Sequence, residues 1–212
     1  MRAMIVFTAV LLASCGEPVK HNTGVYMLLD TSGTYREELR KAEQIIYFTL
    51  SKLGPTDSFA VARIDTGSFS EKDIIVKTTF ADRPSAANGQ KRQFADRVGE
   101  FAGSARSAPY TDITGGLLQA IEFLNEKSPG RKTIFIFSDL KEDLKDGYVR
   151  DIPLDLDGFD VVALNVTKLR TDNVDPREYM GRLAEWERQV NESGGRWRVV
   201  NDLDHLEGLL ST

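Results

Sequence analysis

Histidine and cysteine are almost missing from this sequence: its 212 residues include one cysteine and two histidines. A single cysteine excludes an internal disulfide framework. His21 and His205 have no accompanying serine or cysteine pattern, so no catalytic triad can be assembled around them. A basic surplus is missing as well. The 27 Lys and Arg are outnumbered by 32 Asp and Glu, giving a net charge of −5 and a pI of ≈ 5.2. No excess of cations is there to neutralise a phosphate backbone, which argues against a nucleic-acid partner. The N-terminal apolar run is about 12 residues, short of the ~20 needed to span a bilayer core. Internal repeats and low-complexity stretches are absent. What remains is ordinary for a globular chain, with 41% hydrophobic and 28% charged residues. This composition excludes a mainly disordered protein, a collagen-like fibre and a polytopic membrane protein. The length suits one domain, or one domain with an extension.

The N-terminus reads as an address. Met1 and Arg2 give a positive start, Ala3 to Ala13 is apolar apart from Thr8, and Leu12-Ala13-Ser14-Cys15 follows. A short positive region, an apolar stretch and small residues at a cleavage point describe a secretory signal. With the only cysteine at its end, the pattern resembles the bacterial lipobox, cut before a cysteine that becomes lipid-modified. The alternative is an N-terminal membrane anchor with a chance cysteine, for which the apolar run is too short. The resemblance implies a signal peptide over residues 1–14 and acyl chains on Cys15 that hold the protein at a bilayer. Gly16, rather than aspartate, follows the cysteine, which by the same resemblance favours the outer membrane, facing the periplasm. Loss of Arg2 with the leader would take the net charge from −5 to −6. Residues 16–23 are polar and without periodicity, a tether reaching at most about 28 Å if fully extended.

Strand and helix patterns alternate after the tether. Val25 to Leu29 is a short apolar run ending at Asp30, the mark of a buried strand. Leu39, Ala42, Ile46, Leu50 and Leu53 recur at helical spacing until Gly54-Pro55 stops them. Phe59 to Ile64 and Ile74 to Phe80 predict two strands joined through Thr66-Gly67-Ser68 as an antiparallel hairpin. Residues 84–103 predict a helix with Phe94, Val98 and Phe101 on one face. A second helix follows over 114–124, with Leu117, Leu118, Ile121 and Leu124 as its stripe. Thr133 to Phe137 and Phe159 to Val166 have the continuous apolar character of strands covered on both faces. Tyr179, Leu183, Trp186 and Val190 mark a helix stopped by Gly194-Gly195. Trp197 to Val200 predicts a last strand, on an edge with the Trp197 ring on its core face, and Leu203 to Leu210 a last helix. Trp186 reads as core and His205 as an exposed helix residue. The alternation predicts an α/β fold: a doubly wound, mostly parallel central sheet with one antiparallel edge strand and helices on both faces.

Ligands of such sheets bind at the carboxyl ends of the strands. Three polar segments fall there: Asp30-Thr31-Ser32-Gly33-Thr34, Tyr110-Thr111-Asp112-Ile113-Thr114-Gly115-Gly116, and Ser138-Asp139-Leu140. Their donors are carboxylates and hydroxyls, a hard set suited to Mg²⁺, Mn²⁺ or Ca²⁺ and not to zinc or copper. The motifs D-x-S-x-T, T-D-I before a helix and S-D after a buried strand, in that order, resemble the von Willebrand factor type A domain over residues 24–210. The resemblance implies a metal-ion-dependent adhesion site. Ser32 and Thr34 would bind the cation directly, Thr111 directly or through water, and Asp30 and Asp139 mostly through water. Thr34 stands where serine is common in the family, and Tyr35 where an aliphatic residue or methionine is common; neither change removes a ligand. Neutral hydroxyls leave such a cation under-neutralised, so it would attract an acidic side chain of a protein partner. Mg²⁺ is the expected ion.

Each motif also has an ordinary explanation. Thr34 and Glu37 form a T-x-x-E capping box, Asp30 could cap the backbone, and Asp112 or Thr114 could cap the helix beyond Thr111. On that basis the chain would carry a degenerate, metal-free version of the domain. The first motif also resembles the D-x-D-x-T of haloacid-dehalogenase-type phosphohydrolases. Asp139 and Asp143 would then supply the late acidic motif, and Lys132 or Lys141 the lysine. That enzyme's second aspartate is Ser32 here, a lost proton donor worth about 10²–10⁴-fold, and Thr111-Asp112-Ile113 goes unexplained. Asp65-Thr66-Gly67-Ser68 resembles an aspartic-protease motif but has no second copy to share a proton, so it reads as a hairpin turn. Lys141 to Lys145 reads as a solvated loop of mixed charge that follows Asp139 and could rim the site, selecting partners. The expected architecture is a leader over 1–14, a lipidated cysteine and tether over 15–23, and one domain over 24–212.

Overall fold

The computed structural model describes residues 20–32, 38–65, 67, 69–148, 152–167, 169, 175–201, 206 and 208. The first strand, β1 (Thr23–Asp30), is buried along its whole length, as its unbroken apolar run requires. Helix α1 (Leu39–Lys52) follows. Then come β2 (Ser58–Ile64) and β3 (Ile74–Thr79), joined through a short 3₁₀ turn at Glu71–Asp73. Next are α2 (Pro84–Ser104), α3 (Ile113–Lys127), β4 (Arg131–Phe137), β5 (Phe159–Leu164), α4 (Pro176–Glu192) and β6 (Arg196–Val200).

The strands form a six-stranded sheet in the order β3-β2-β1-β4-β5-β6. Strands β2, β1, β4, β5 and β6 pair in parallel, and β3 runs antiparallel to β2 at one edge. The hairpin expected between residues 64 and 74 is therefore present, with Gly67 supplying a positive φ of 75° in its connection. Alternate residues of β1 feed two cores. Val25, Met27 and Leu29 pack with Ile46 and Leu50 of α1, Phe94 and Val98 of α2, and Leu206. Tyr26 and Leu28 pack with Ile113, Leu117 and Leu124 of α3 and with Trp186 and Val190 of α4. This period-2 division of one strand between two helical layers is what a doubly wound sheet demands. Trp186 is core, as its spacing predicts, and the half-buried Trp197 packs on the core from edge strand β6.

The winding reverses between β1 and β4: the chain leaves β1 toward β2 on one side and returns to β4 on the other. Such a switch point opens a crevice at the carboxyl ends of the two strands, where Asp30 and Ser138-Asp139 stand. Most of the predicted last helix, His205 included, lies outside the described residues, as do Thr34, Glu37 and Cys15. Among the described residues no helix is long and apolar enough to cross a membrane.

Phe94 of α2 stacks on Phe59 of β2 with ring centroids 4.8 Å apart, both rings buried. Phe94→Ala should cost about 3–5 kcal/mol, on the order of 10 °C in Tm for a domain of this size. Urea and thermal unfolding check this. A loss below about 1 kcal/mol would show that α2 is not fastened to the sheet through this ring.

Candidate functional site

Asp30, at the end of β1, is fully buried (0% exposed), with Thr111 at 3% and Asp139 at 5%. Burial of carboxylates at a strand end needs partners. One oxygen of Asp30 accepts the Ser32 N–H at 2.8 Å, folding the chain after β1 into an Asx turn. The other accepts the Ser138 hydroxyl at 2.7 Å. Asp30 is thereby tied to both its own loop and the end of β4. Ser138 accepts in turn from the Leu140 N–H at 3.1 Å, and Asp139 accepts from the Lys141 N–H at 2.8 Å.

The three polar segments form one surface. Ser32 bridges to Ala108, whose N–H donates to the Thr31 carbonyl at 3.0 Å. Thr111 bridges to Asp143 through paired backbone bonds of 2.8 and 2.9 Å. The side chains of Lys141–Lys145 are largely exposed, as expected of a solvated loop, yet the backbone of this segment is pinned against Thr111. Asp112 is the buried cap of α3, accepting the Gly115 N–H at 2.7 Å, and Glu142 accepts the Thr114 N–H at 2.8 Å. Of the sequence-predicted metal ligands, Asp30, Ser32, Thr111 and Asp139 therefore fall on this surface. Thr34, like the lipidation candidate Cys15, is outside the described residues.

Helix α4 braces the surface from below. The Trp186 indole N–H donates to the Leu140 carbonyl at 3.0 Å, and Arg182 Nε donates to the Asp139 carbonyl at 3.3 Å. Leu140 sits at φ 65°, a left-handed conformation that costs a branched side chain on the order of 1–2 kcal/mol. Trp186 and Ser138 hold it there from both sides. Sequence reading gave Ser138, Arg182 and Trp186 no positioning role. Only Ser138 carried a usable signal, as a hydroxyl at the same strand end.

Burial pushes the Asp139 carboxyl above its usual range, and the nearby charge of Asp30 pushes the same way. The Lys141 N–H and the charges of Arg182 and Lys141 oppose this. Like-charged buried carboxylates are a reason to seek a cation. The donors available, carboxylate and hydroxyl oxygens, suit a hard divalent ion. Among the described residues, no group of three or more His, Cys, Asp or Glu side chains forms a metal cage.

A von Willebrand factor type A structure from Catenulispora acidiphila aligns over 90% of this chain and 41% of its own, with 14% identity and a TM-score of 0.54. The pilus adhesin SpaC of Lactobacillus rhamnosus GG, in an open conformation, aligns over 91% of this chain and 29% of its own, with 14% identity and a TM-score of 0.56. The chain folds as a von Willebrand factor type A domain. It spans under half the length of either of those chains. No protein-family model matches the sequence, and neither does any curated protein. In this fold Asp30-Thr31-Ser32 and Ser138-Asp139 follow β1 and β4, and the segment from Tyr110 leads into α3.

The raised pKa of Asp139 sets a sign. Below its unfolded value, about 3.8, both states are protonated and nothing is lost. As pH rises through the higher folded value, ionisation favours the unfolded chain and stability falls. Asp139→Asn keeps the acceptor for Lys141 but cannot ionise. In chelator at pH 7 it should melt above the wild type, by about 2–4 °C for each kcal/mol recovered, and the gap should close in acid. Thermal melts from pH 3 to pH 8 check this. A variant less stable at pH 7 would overturn it.

Proposed function

We propose that this chain is a membrane-anchored lipoprotein whose type A domain binds one divalent cation and captures an acidic side chain of a protein partner. Mg²⁺ is the proposed ion, with Mn²⁺ or Ca²⁺ as alternatives. Ser32 and Thr34 would hold it through their hydroxyls, with Thr111 beside them and Asp30 and Asp139 acting mostly through water. Cys15 would carry the lipid at the outer membrane, facing the periplasm, with the leader at 1–14, the tether from Cys15 to Thr23 and the domain over 24–212.

The observation that carries this reading is the pair of buried carboxylates, Asp30 and Asp139, at the switch point, with Ser32 on the loop that Asp30 folds. A bound cation supplies a positive centre able to accept a carboxylate oxygen from outside. The chain's own residues do the rest. Asp30 fixes the loop of Ser32 and the hydroxyl of Ser138. Arg182 and Trp186 fix the turn that carries Asp139. Both oxygens of Asp30 are engaged in hydrogen bonds to the chain itself, an arrangement that suits a positioning role better than that of a phosphohydrolase nucleophile. One fold neighbour is a pilus adhesin, in keeping with a capturing role, although the fold alone fixes no activity.

Calorimetric titration of the purified protein with Mg²⁺ should show one saturable site. Asp139→Asn should weaken it by about 10–100-fold, while Phe94→Ala, below its own melting temperature, should leave it intact. Flat titrations of the folded wild type with Mg²⁺, Mn²⁺ and Ca²⁺ would sink the cation reading.

A further inference from the structure

The segment just before β1 is fastened to the amino-end pole of the sheet, opposite the candidate site. The Lys20 ammonium donates to the carbonyl and hydroxyl of Ser128 at 2.9 and 3.0 Å, just past the end of α3. Asn22 accepts the Gly130 N–H on its side chain and the Arg131 N–H on its carbonyl, both at 3.2 Å, and donates to the Thr56 carbonyl at 3.3 Å. The Thr23 N–H donates to Asp57 at 2.6 Å. Each exposed bond is weak alone; together with the Asp57 contact they fix Lys20, Asn22 and Thr23. Gly130 shows how close the approach is: a Cβ there would stand 1.8 Å from the Lys20 carbonyl oxygen. Only glycine lets the two backbones lie this near.

We infer that the domain stands on its membrane by this pole, with the candidate cation site turned away from the bilayer; this rests on the lipid-anchor reading of Cys15. The geometry is decided by two lengths. From Cys15 to Lys20 there are five residue steps, at most about 18 Å when fully extended. From Thr23 to Asp30 the strand rises about 23 Å. A leash fixed at one pole and shorter than the strand allows the domain to tilt but not to invert. The acidic side chain captured at the site then belongs to a protein approaching from the aqueous side, and not to a headgroup of the anchoring bilayer.

Cys15 is the only cysteine of the chain, so once it is acylated an introduced cysteine takes a single dye. The full-length lipidated chain is reconstituted in 3:1 phosphatidylethanolamine/phosphatidylglycerol vesicles carrying an acceptor dye on the headgroups. Labels go on Glu126→Cys, near the end of α3 at the amino-end pole, or Asp146→Cys, in the loop beyond β4. Energy transfer to the headgroups should be at least about twofold stronger from Glu126→Cys. Equal or reversed transfer from vesicle-bound protein would overturn the orientation and leave the lipid anchor standing. Failure of the chain to float with vesicles, or flotation unchanged by Cys15→Ala, would overturn the anchor and the orientation with it. Gly130→Ala, which drives a methyl into the Lys20 backbone, should narrow the difference between labels without reducing flotation. An undiminished difference in that variant would overturn the docking as its cause.

Discussion

Two acidic side chains are buried together at the ends of adjacent parallel strands, and much of the upper face of this domain follows from accommodating them. A carboxylate withdrawn from water is costly unless its oxygens find donors. Asp30 finds the Ser32 amide and the Ser138 hydroxyl; Asp139 finds the Lys141 amide. Each solution bends a loop. The first turns the chain sharply after β1. The second requires Leu140 to adopt a left-handed conformation and to be held by Trp186 from the helix below. A core aromatic residue thus belongs both to the packing of the sheet and to the shape of the site. Residual repulsion from Asp30 remains, and together with burial it pushes the Asp139 carboxyl above its usual range.

Much of this was legible in the sequence because the physical signals were local. Continuous apolar runs at 25–29 and 133–137 announced strands covered on both faces, and β1 and β4 are those strands. Gly54-Pro55 and Gly194-Gly195 ended helices where the chain must turn. The positions of Asp30, Ser32 and Asp139 just beyond β1 and β4 followed from strand boundaries, whereas Thr111, on the segment leading into α3, was marked only by its motif. The bracing was not legible. Trp186 and Arg182 reach Leu140 and Asp139 across more than forty residues of sequence, and an apolar helical stripe gives no hint that one indole N–H points at a particular carbonyl. The attachment of Lys20 to Ser128, 108 residues away, was equally invisible, since a polar segment without periodicity reads as tether whether or not it is docked.

The two poles divide the work of the fold. At the amino ends of the strands, backbone groups, the Asp57 carboxylate and a glycine receive the incoming chain. At the carboxyl ends, oxygen donors gather where the winding reverses. The parallel sheet makes this separation rigid, because all five parallel strands point the same way and β1, the one that joins both poles, is buried throughout. A displacement at either end meets a packed strand and not a flexible connection.

The choice of donors fits that division. A cage built wholly of carboxylates would neutralise a divalent ion and hold it for its own sake, as in sites whose purpose is structural. On this face the hydroxyl-bearing residues Ser32, Thr111 and Ser138 stand with two carboxylates, Asp30 and Asp139, that are both already hydrogen-bonded to the protein. In a chain of net negative charge, the proposed cation would be a local reversal of sign, drawing in an acidic partner that the rest of the charge repels. The attachment of the incoming chain at one pole and the gathered oxygen donors at the other are thus separated by the full length of a buried strand.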